Sequence, residues 1–96
     1  MPKTGIRVHF STDNMGSITA RPVSEKVQRA YRQHMRDFLP DHDGTAFFQE
    51  HHASEVYDYL PARKAKELQQ GWDVVCVIDP WEFGHMLGYD AHLVEV

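Results

Sequence analysis

The sequence is poor in cysteine and in long apolar runs. Cys76 is the single cysteine among 96 residues, which excludes an internal disulfide framework and every zinc site built from several cysteines. The longest apolar run, Val74 to Ile78, is far shorter than the roughly 20 residues that span a bilayer. The N-terminus has no basic segment followed by an apolar one. We therefore expect a cytoplasmic protein with no secretion signal and no membrane partner.

Sequence motifs for catalysis are also missing. The six glycines are scattered at turn positions, so no glycine-rich loop is present to hold a phosphate group. None of the serines lies in a Gly-x-Ser-x-Gly nucleophile elbow. Cys76 lies between valines, where apolar surroundings hide a thiol and raise its pKa. The sequence therefore predicts a protein that is not an enzyme and needs no cofactor.

Seven histidines and fourteen acidic residues raise the question of a metal site. The adjacent His51 and His52 point in different directions in a helix or in a strand, so they are poor joint ligands. The pair Glu82 and His85 has helical spacing, but Glu-x-x-His forms a helix-bundle di-metal motif only when it occurs twice among further glutamates, and here it occurs once. We predict no metal site. A small metal-binding protein or enzyme that brings His51, His52, His85 or His92 together with acids remains an alternative.

Charge is distributed unevenly along the chain. Residues 1 to 40 contain seven basic and three acidic side chains, whereas residues 41 to 96 contain three basic and eleven acidic ones. Opposite charges in two halves either steer partners or pair inside the fold. The total charge of -4 and the acidic second half would repel a nucleic-acid backbone.

The first half of the chain predicts a hairpin followed by a helix. Residues Gly5 to Thr12 alternate apolar and polar side chains, and a turn leads to a return strand at Ile18 to Arg21. The helix is capped by Ser24 and ends before Pro40. Six of its side chains share an apolar arc, namely Val27, Ala30, Tyr31, His34, Met35 and Phe38.

The second half predicts two helices and two strands. A helix covers Pro61 to Gln70, and the following segment, Trp72 to Asp79, is apolar on both faces, which is typical of a central strand. Asp79 begins a short helix that runs to Leu87. Residues 91 to 96 are expected to form a last strand.

Residues 41 to 61 are expected to have a structural role and not to form a metal or catalytic site. The turn cluster Asp41 to Thr45 lacks the further acids of a calcium loop. In residues 46 to 61 the aromatic side chains suit core and rim, with the histidines and glutamates as their polar neighbours.

The element order as a whole predicts one α+β domain over residues 1 to 96, a small mainly antiparallel sheet of about four strands with two main helices and one short helix packed on it.

Two surfaces are candidates for binding a partner. One is the arginine stripe on the polar side of the first helix, formed by Arg29, Arg32 and Arg36. The other lies in the segment Asp79 to Ala91, which holds more aromatic and apolar bulk than a short connection needs. Its candidate contact residues are Trp81, Phe83, Met86 and Tyr89. Protein interfaces concentrate these residue types.

These features predict a small interaction protein that acts as an inhibitor or adaptor of a larger complex, such as an accessory protein encoded by bacteria, phages or mobile elements. We expect a protein partner, and a homodimer is a further expectation because exposed apolar patches on small proteins are often self-complementary. The first alternative is a nucleic-acid-binding regulatory protein that uses the basic face of the first helix.

Overall fold

The computed structural model describes residues 5–13, 17–38, 48 and 56–95. These residues form an α+β fold in which three helices lie on a three-stranded antiparallel sheet. Along the chain the elements are β1 (Ile6–Thr12), β2 (Ile18–Pro22), α1 (Glu25–Arg36), α2 (Ala62–Gln69), β3 (Val74–Ile78), α3 (Pro80–Leu87) and a 3-10 helix (Ala91–Leu93).

The sheet has β1 in the middle, with β2 and β3 as its outer strands. His9 on β1 lies opposite Arg21 on one side and Val75 on the other. Alternation along each strand sends one set of side chains to an inner face and the other set to an outer face. The inner face is buried throughout and consists of Ile6, Val8, Phe10, Ile18, Ala20, Pro22, Val74, Cys76 and Ile78.

The helices bury their apolar sides in the same core. Helix α1 contributes Tyr31 and Met35, and α2 contributes Leu68. The Tyr31 ring meets the Phe83 ring of α3 edge to face, with centroids 5.1 Å apart. The Tyr31 hydroxyl donates to the Pro80 carbonyl at 3.2 Å. Tyr31 therefore joins α1 to the start of α3 by both a packing contact and a hydrogen bond.

Several sequence predictions are confirmed. The fold is α+β, the leading hairpin is present, and the Ser24 hydroxyl accepts a hydrogen bond from the Val27 N–H at the start of α1. Phe48 is fully buried, as expected for a core aromatic residue. No helix in the described part of the chain is long and apolar enough to cross a membrane.

The number of strands is a correction. The described residues contain three strands instead of about four, because Ala91–Leu93 forms a 3-10 helix where a last strand was predicted. Tyr89 and Asp90 both have a φ of 55°, so the chain turns here, and the backbone of Ala91 and His92 then packs against Gly84 of α3 instead of pairing with the sheet. Ala91 of this segment is buried, whereas Leu93 is 66% exposed.

The position of β3 is a second correction. Its side chains are apolar on both faces, which predicted a central strand, yet it is an outer strand of the described sheet. Val75 and Val77 point to the outer face and are exposed.

Some predictions lie outside the described part of the chain. They are the turn at residues 41 to 45 and the structural roles of Glu50, His51, His52 and Glu55.

Replacing Tyr31 with phenylalanine tests the contact between α1 and α3. Burial, and secondarily the charge of Asp79, raises the pKa of Tyr31 from 10.0 to about 12. Between these values the unfolded chain holds fewer protons than the folded chain, so stability falls as the pH rises from 10 to 12. We expect Tyr31→Phe to lose about 1 kcal/mol of stability at pH 7, because the hydrogen bond to Pro80 is gone.

The measurement is urea unfolding at a series of pH values from 7 to 12. The variant should show a smaller decline above pH 10 than the native protein, since it no longer has the titrating hydroxyl. Equal declines in the two proteins would mean that Tyr31 is not held in its neutral form by the fold.

Candidate functional site

The start of α3 fixes a large aromatic side chain on the surface, that of Trp81. The Asp79 carboxylate caps the helix by accepting a hydrogen bond from the Trp81 N–H at 2.8 Å, and Pro80 occupies the first helical position. Together with the Tyr31 bond to Pro80, this cap holds the backbone of Trp81 in place. The Trp81 side chain is nevertheless 57% exposed.

Two histidines surround Trp81. His85 lies one helical turn further along α3, and its ring centroid is 4.0 Å from that of Trp81. His92 of the 3-10 helix stacks on His85, with centroids 4.4 Å apart and ring planes 2° from parallel. The centroids of Trp81 and His92 are 5.9 Å apart. We call Trp81, His85 and His92 the tryptophan–histidine patch.

Gly84 allows this patch to form. A Cβ atom placed on Gly84 would lie 2.3 Å from both the Cα and the N of His92 and 2.4 Å from the carbonyl carbon of Ala91. The backbone of the 3-10 helix therefore packs directly on the backbone of α3, at a distance that only glycine permits. His92 is brought onto His85 by this close approach.

A shallow cavity adjoins the patch. Its volume is about 310 Å³, and it is lined by Asp58, Tyr59, His85 and Met86. His85 belongs to both the patch and the cavity, so the two form one continuous surface. The cavity wall combines the exposed carboxylate of Asp58 with the half-buried ring of Tyr59 and the buried thioether of Met86. Such a wall suits a side chain that has an apolar stem and a basic end.

A second aromatic group joins the end of α1 to the loop after α3. The His34 ring donates its Nε2 hydrogen to the Tyr89 carbonyl at 3.0 Å. The Phe38 ring lies 5.5 Å from the His34 ring and 6.3 Å from the Tyr89 ring, between centroids. Both Phe38 and Tyr89 are about half exposed. His34, which lies on the apolar arc of α1, thus links this helix to the loop after α3 by a hydrogen bond.

The arginine stripe is uneven. Arg29 and Arg36 are exposed, whereas Arg32 is partly buried and donates to the Gln28 side chain at 2.8 Å. Gln28 in turn donates to the Pro22 carbonyl. Arg32 is therefore part of the contact between α1 and β2, and its replacement would disturb the fold as well as the surface charge. Arg29 and Arg36 are the better probes of the stripe.

The predicted residues of the aromatic segment divide between surface and core. Trp81 and Tyr89 reach the surface, whereas Phe83 and Met86 are buried. Phe83 packs on Tyr31, and Met86 lines the floor of the cavity beside His85. Phe83 belongs to the core, whereas Met86, although buried, still forms part of the cavity wall.

Of the groups considered for metal binding, His85 and His92 lie together in the tryptophan–histidine patch. Within the described ranges, no cluster of three or more histidine, cysteine, aspartate or glutamate side chains could hold a metal ion. Cys76 is buried, and desolvation raises the pKa of its thiol, with smaller opposing effects of Lys64 and Glu67. A raised pKa keeps the thiol protonated and unreactive near neutral pH.

Sequence reasoning missed the roles of His85 and His92. The spacing of Trp81 and His85, one turn apart on a predicted helix, is a signal that both share an exposed side. The stacking of His92 had no such signal, since it depends on the contact between Gly84 and the 3-10 helix. The exposure of Trp72, which is 67% accessible just before β3, was also missed.

Comparison of the chain with family models, with curated proteins and with solved structures finds no match. The function of this chain must therefore be inferred from its own geometry.

Gly84→Ala should destabilise the protein. Alanine in a helix ordinarily adds about 1 kcal/mol relative to glycine, but here the new methyl group would collide with the backbone of Ala91 and His92. We expect a net loss of about 1–3 kcal/mol, as for an overpacked core. Urea unfolding measures the change.

The same variant should separate the histidine rings. Proton NMR of the His85 and His92 ring hydrogens should lose the mutual ring-current shifts that stacked imidazoles produce. A Gly84→Ala protein that is more stable than the native one, with unchanged ring signals, would contradict the close packing of α3 on the 3-10 helix.

Proposed function

We propose that this chain is a small protein-interaction module that acts by occupying the surface of a larger complex, as an inhibitor or adaptor. Its main contact surface is the tryptophan–histidine patch together with the adjoining cavity. The support for this proposal is geometric. The patch presents a large aromatic side chain to solvent on a rigid support, and it borders a depression that can accept a second side chain.

The observation that carries the proposal is the exposure of Trp81. Tryptophan is among the residues that dominate the binding energy of protein interfaces. Side chains that are held in place before binding lose less conformational entropy when the complex forms. Trp81 has both properties, because its backbone is held by Asp79 and its ring lies against two imidazoles.

The cavity indicates the chemistry of the partner. The partner would place an apolar side chain on Trp81 and a basic side chain in the cavity, where Asp58 offers a carboxylate. A basic partner also suits the acidic second half of the chain, in which eleven acids accompany three basic residues. Opposite charge of this kind raises the association rate and orients the encounter.

Trp81→Ala should abolish most of the binding. Removing a central interface tryptophan costs about 2 kcal/mol or more, which is roughly a thirtyfold loss of affinity. The measurement is affinity capture from extract of the producing cells, treated with nuclease, with bound proteins identified and quantified by mass spectrometry. A stoichiometric partner should be retained by the native protein and lost from the Trp81→Ala variant.

Val23→Ser is the matched control for this experiment. Val23 is an exposed apolar residue between β2 and α1, so its replacement also removes apolar surface but leaves the patch intact. It should retain the partner at the native level. A partner that is held equally well by Trp81→Ala and by the native protein would show that the patch is not the binding surface.

The cavity makes a separate contribution to the proposed binding. Asp58→Asn keeps the size of the side chain but removes the charge, so we expect a loss of affinity of roughly two- to tenfold, smaller at high salt. Isothermal titration with the captured partner at two salt concentrations measures this. A loss that is independent of salt would exclude a basic side chain in the cavity.

Nucleic-acid binding is the second candidate function. The supporting observation is that Arg29 and Arg36 are exposed on one side of α1, where they could both contact phosphates. The double variant Arg29→Glu, Arg36→Glu should then abolish binding to a labelled DNA duplex, measured by fluorescence polarisation. Binding by the native protein should also fall steeply with salt. Absence of any binding at low salt would remove this candidate.

A further inference from the structure

The two outer strands of the sheet differ at their open edges. On β2, Pro22 has no N–H to offer, and its carbonyl already accepts a hydrogen bond from Gln28 Nε2 at 2.7 Å. This edge is therefore closed at Pro22, as natural proteins close edges that would otherwise attract a further strand. Among the described residues, no strand pairs with the outer edge of β3.

The direction of the backbone groups of β3 follows from the hydrogen-bond ladder. The Arg7 carbonyl accepts a hydrogen bond from the N–H of Val23, the residue after β2, at 2.9 Å. The backbone N–H and carbonyl of Arg7 therefore point toward β2, and those of its neighbour Val8 point toward β3. Val8 pairs with Cys76, so the N–H and carbonyl of Cys76 face β1. By the same alternation, the N–H and carbonyl groups of Val75 and Val77 point away from the sheet.

The side chains of this edge are apolar and accessible. Val75 is 44% and Val77 is 67% exposed on the outer face of the sheet. The strand Val74–Ile78 contains no charged residue and no proline. Natural edge strands that stay unpaired carry charges, prolines or bulges. An uncharged edge with outward hydrogen-bonding groups is the kind of edge to which another strand adds.

We propose that the strand added to this edge is β3 of a second copy of the chain. The two copies of β3 run antiparallel around a twofold axis at Cys76, and Val75 of each copy lies opposite Val77 of the other. Each of these pairs exchanges two backbone hydrogen bonds, and the result is a continuous six-stranded sheet. Opposed β-branched side chains are among the favourable cross-strand pairs.

Self-pairing suits this strand better than an unrelated peptide. In a twofold interface the same surface meets itself, so a strand that carries no charge meets no repulsion along its length. With the axis at Cys76 the whole of Val74–Ile78 is paired and no residue overhangs. Helix α2 packs on both β1 and β3, so the two copies of α2 come to lie side by side, about 10 Å apart.

The residues beyond the strand ends make the dimer sensitive to salt. The register places Trp72 of one copy level with Pro80 of the other, which gives the exposed indole an apolar neighbour. It also places Asp73 opposite Asp79, a like-charged pair. Within its own chain Asp73 lies 3.3 Å from the His9 ring and Asp79 caps α3. Salt screens the remaining repulsion, so the dimer is stronger at higher ionic strength.

Hydrogen exchange of the native protein, followed by NMR, tests the pairing directly. In the dimer the Val75 and Val77 amides donate to the second copy, whereas in a monomer they donate to water. Their exchange should slow by at least about tenfold on going from dilute to concentrated protein. The Ala20 amide on the outer edge of β2 is the internal control, since it also points away from β1 and should exchange at the same rate throughout.

Oligomeric state is measured in parallel by sedimentation equilibrium on the native protein and two variants. Val75→Pro removes an outward N–H without removing a bond to β1, and it should yield a monomer. Val75→Thr has nearly the same shape and keeps the N–H, and it should remain a dimer. If Val75→Pro does not fold, the exchange rates of the native protein still decide the question.

Two results would overturn the proposal. One is a monomer at all concentrations with rapid exchange at Val75 and Val77. The other is a dimer in which these amides exchange as fast as that of Ala20, because the contact would then lie elsewhere. Dimerisation that weakens as salt is added would contradict the register. The proposal stands apart from the binding function of Trp81, since it depends on the backbone edge of β3 alone.

Discussion

All described helices pack on one face of the sheet, and this one-sided packing determines where the other surfaces lie. The inner face supplies the apolar side chains of the core, including the buried thiol of Cys76. The outer face is left with alternating residues such as Arg7, His9 and Val77, which no described helix covers. A short chain gains stability mainly from the surface that it buries, so this protein buries one face fully and leaves the other accessible.

The tryptophan–histidine patch depends on the same core. Tyr31 anchors the start of α3 through Pro80 and Phe83, and Gly84 admits the 3-10 helix at backbone contact distance. Once these contacts are made, Trp81 and His85 have no position other than the exposed side of the helix. The patch is therefore supported by residues of the core, and a support of this kind suits a preformed binding surface.

Local patterns predicted the elements whose form depends on neighbours in sequence. The strand alternation, the Ser24 cap and the apolar arc of α1 all depend on residues within a few positions of each other. The residues 91 to 93 were misassigned because their conformation depends on Gly84 and on the positive φ of Tyr89 and Asp90. Strand order also has no local signal, so the apolar composition of β3 indicated a central strand, although β3 is an outer strand of the sheet formed by the described residues.

The bond from Gln28 to the Pro22 carbonyl has a consequence for the growth of larger assemblies. A sheet that could add strands at both edges would extend without limit, as fibres do. At the outer edge of β2, Pro22 lacks a donor and has its acceptor occupied, so an added strand would lose two backbone hydrogen bonds there, whereas the described edge of β3 has no such block. If two β3 edges join as proposed, both are used up, and the Gln28 side chain at the far end of the sheet then disfavours the addition of further strands.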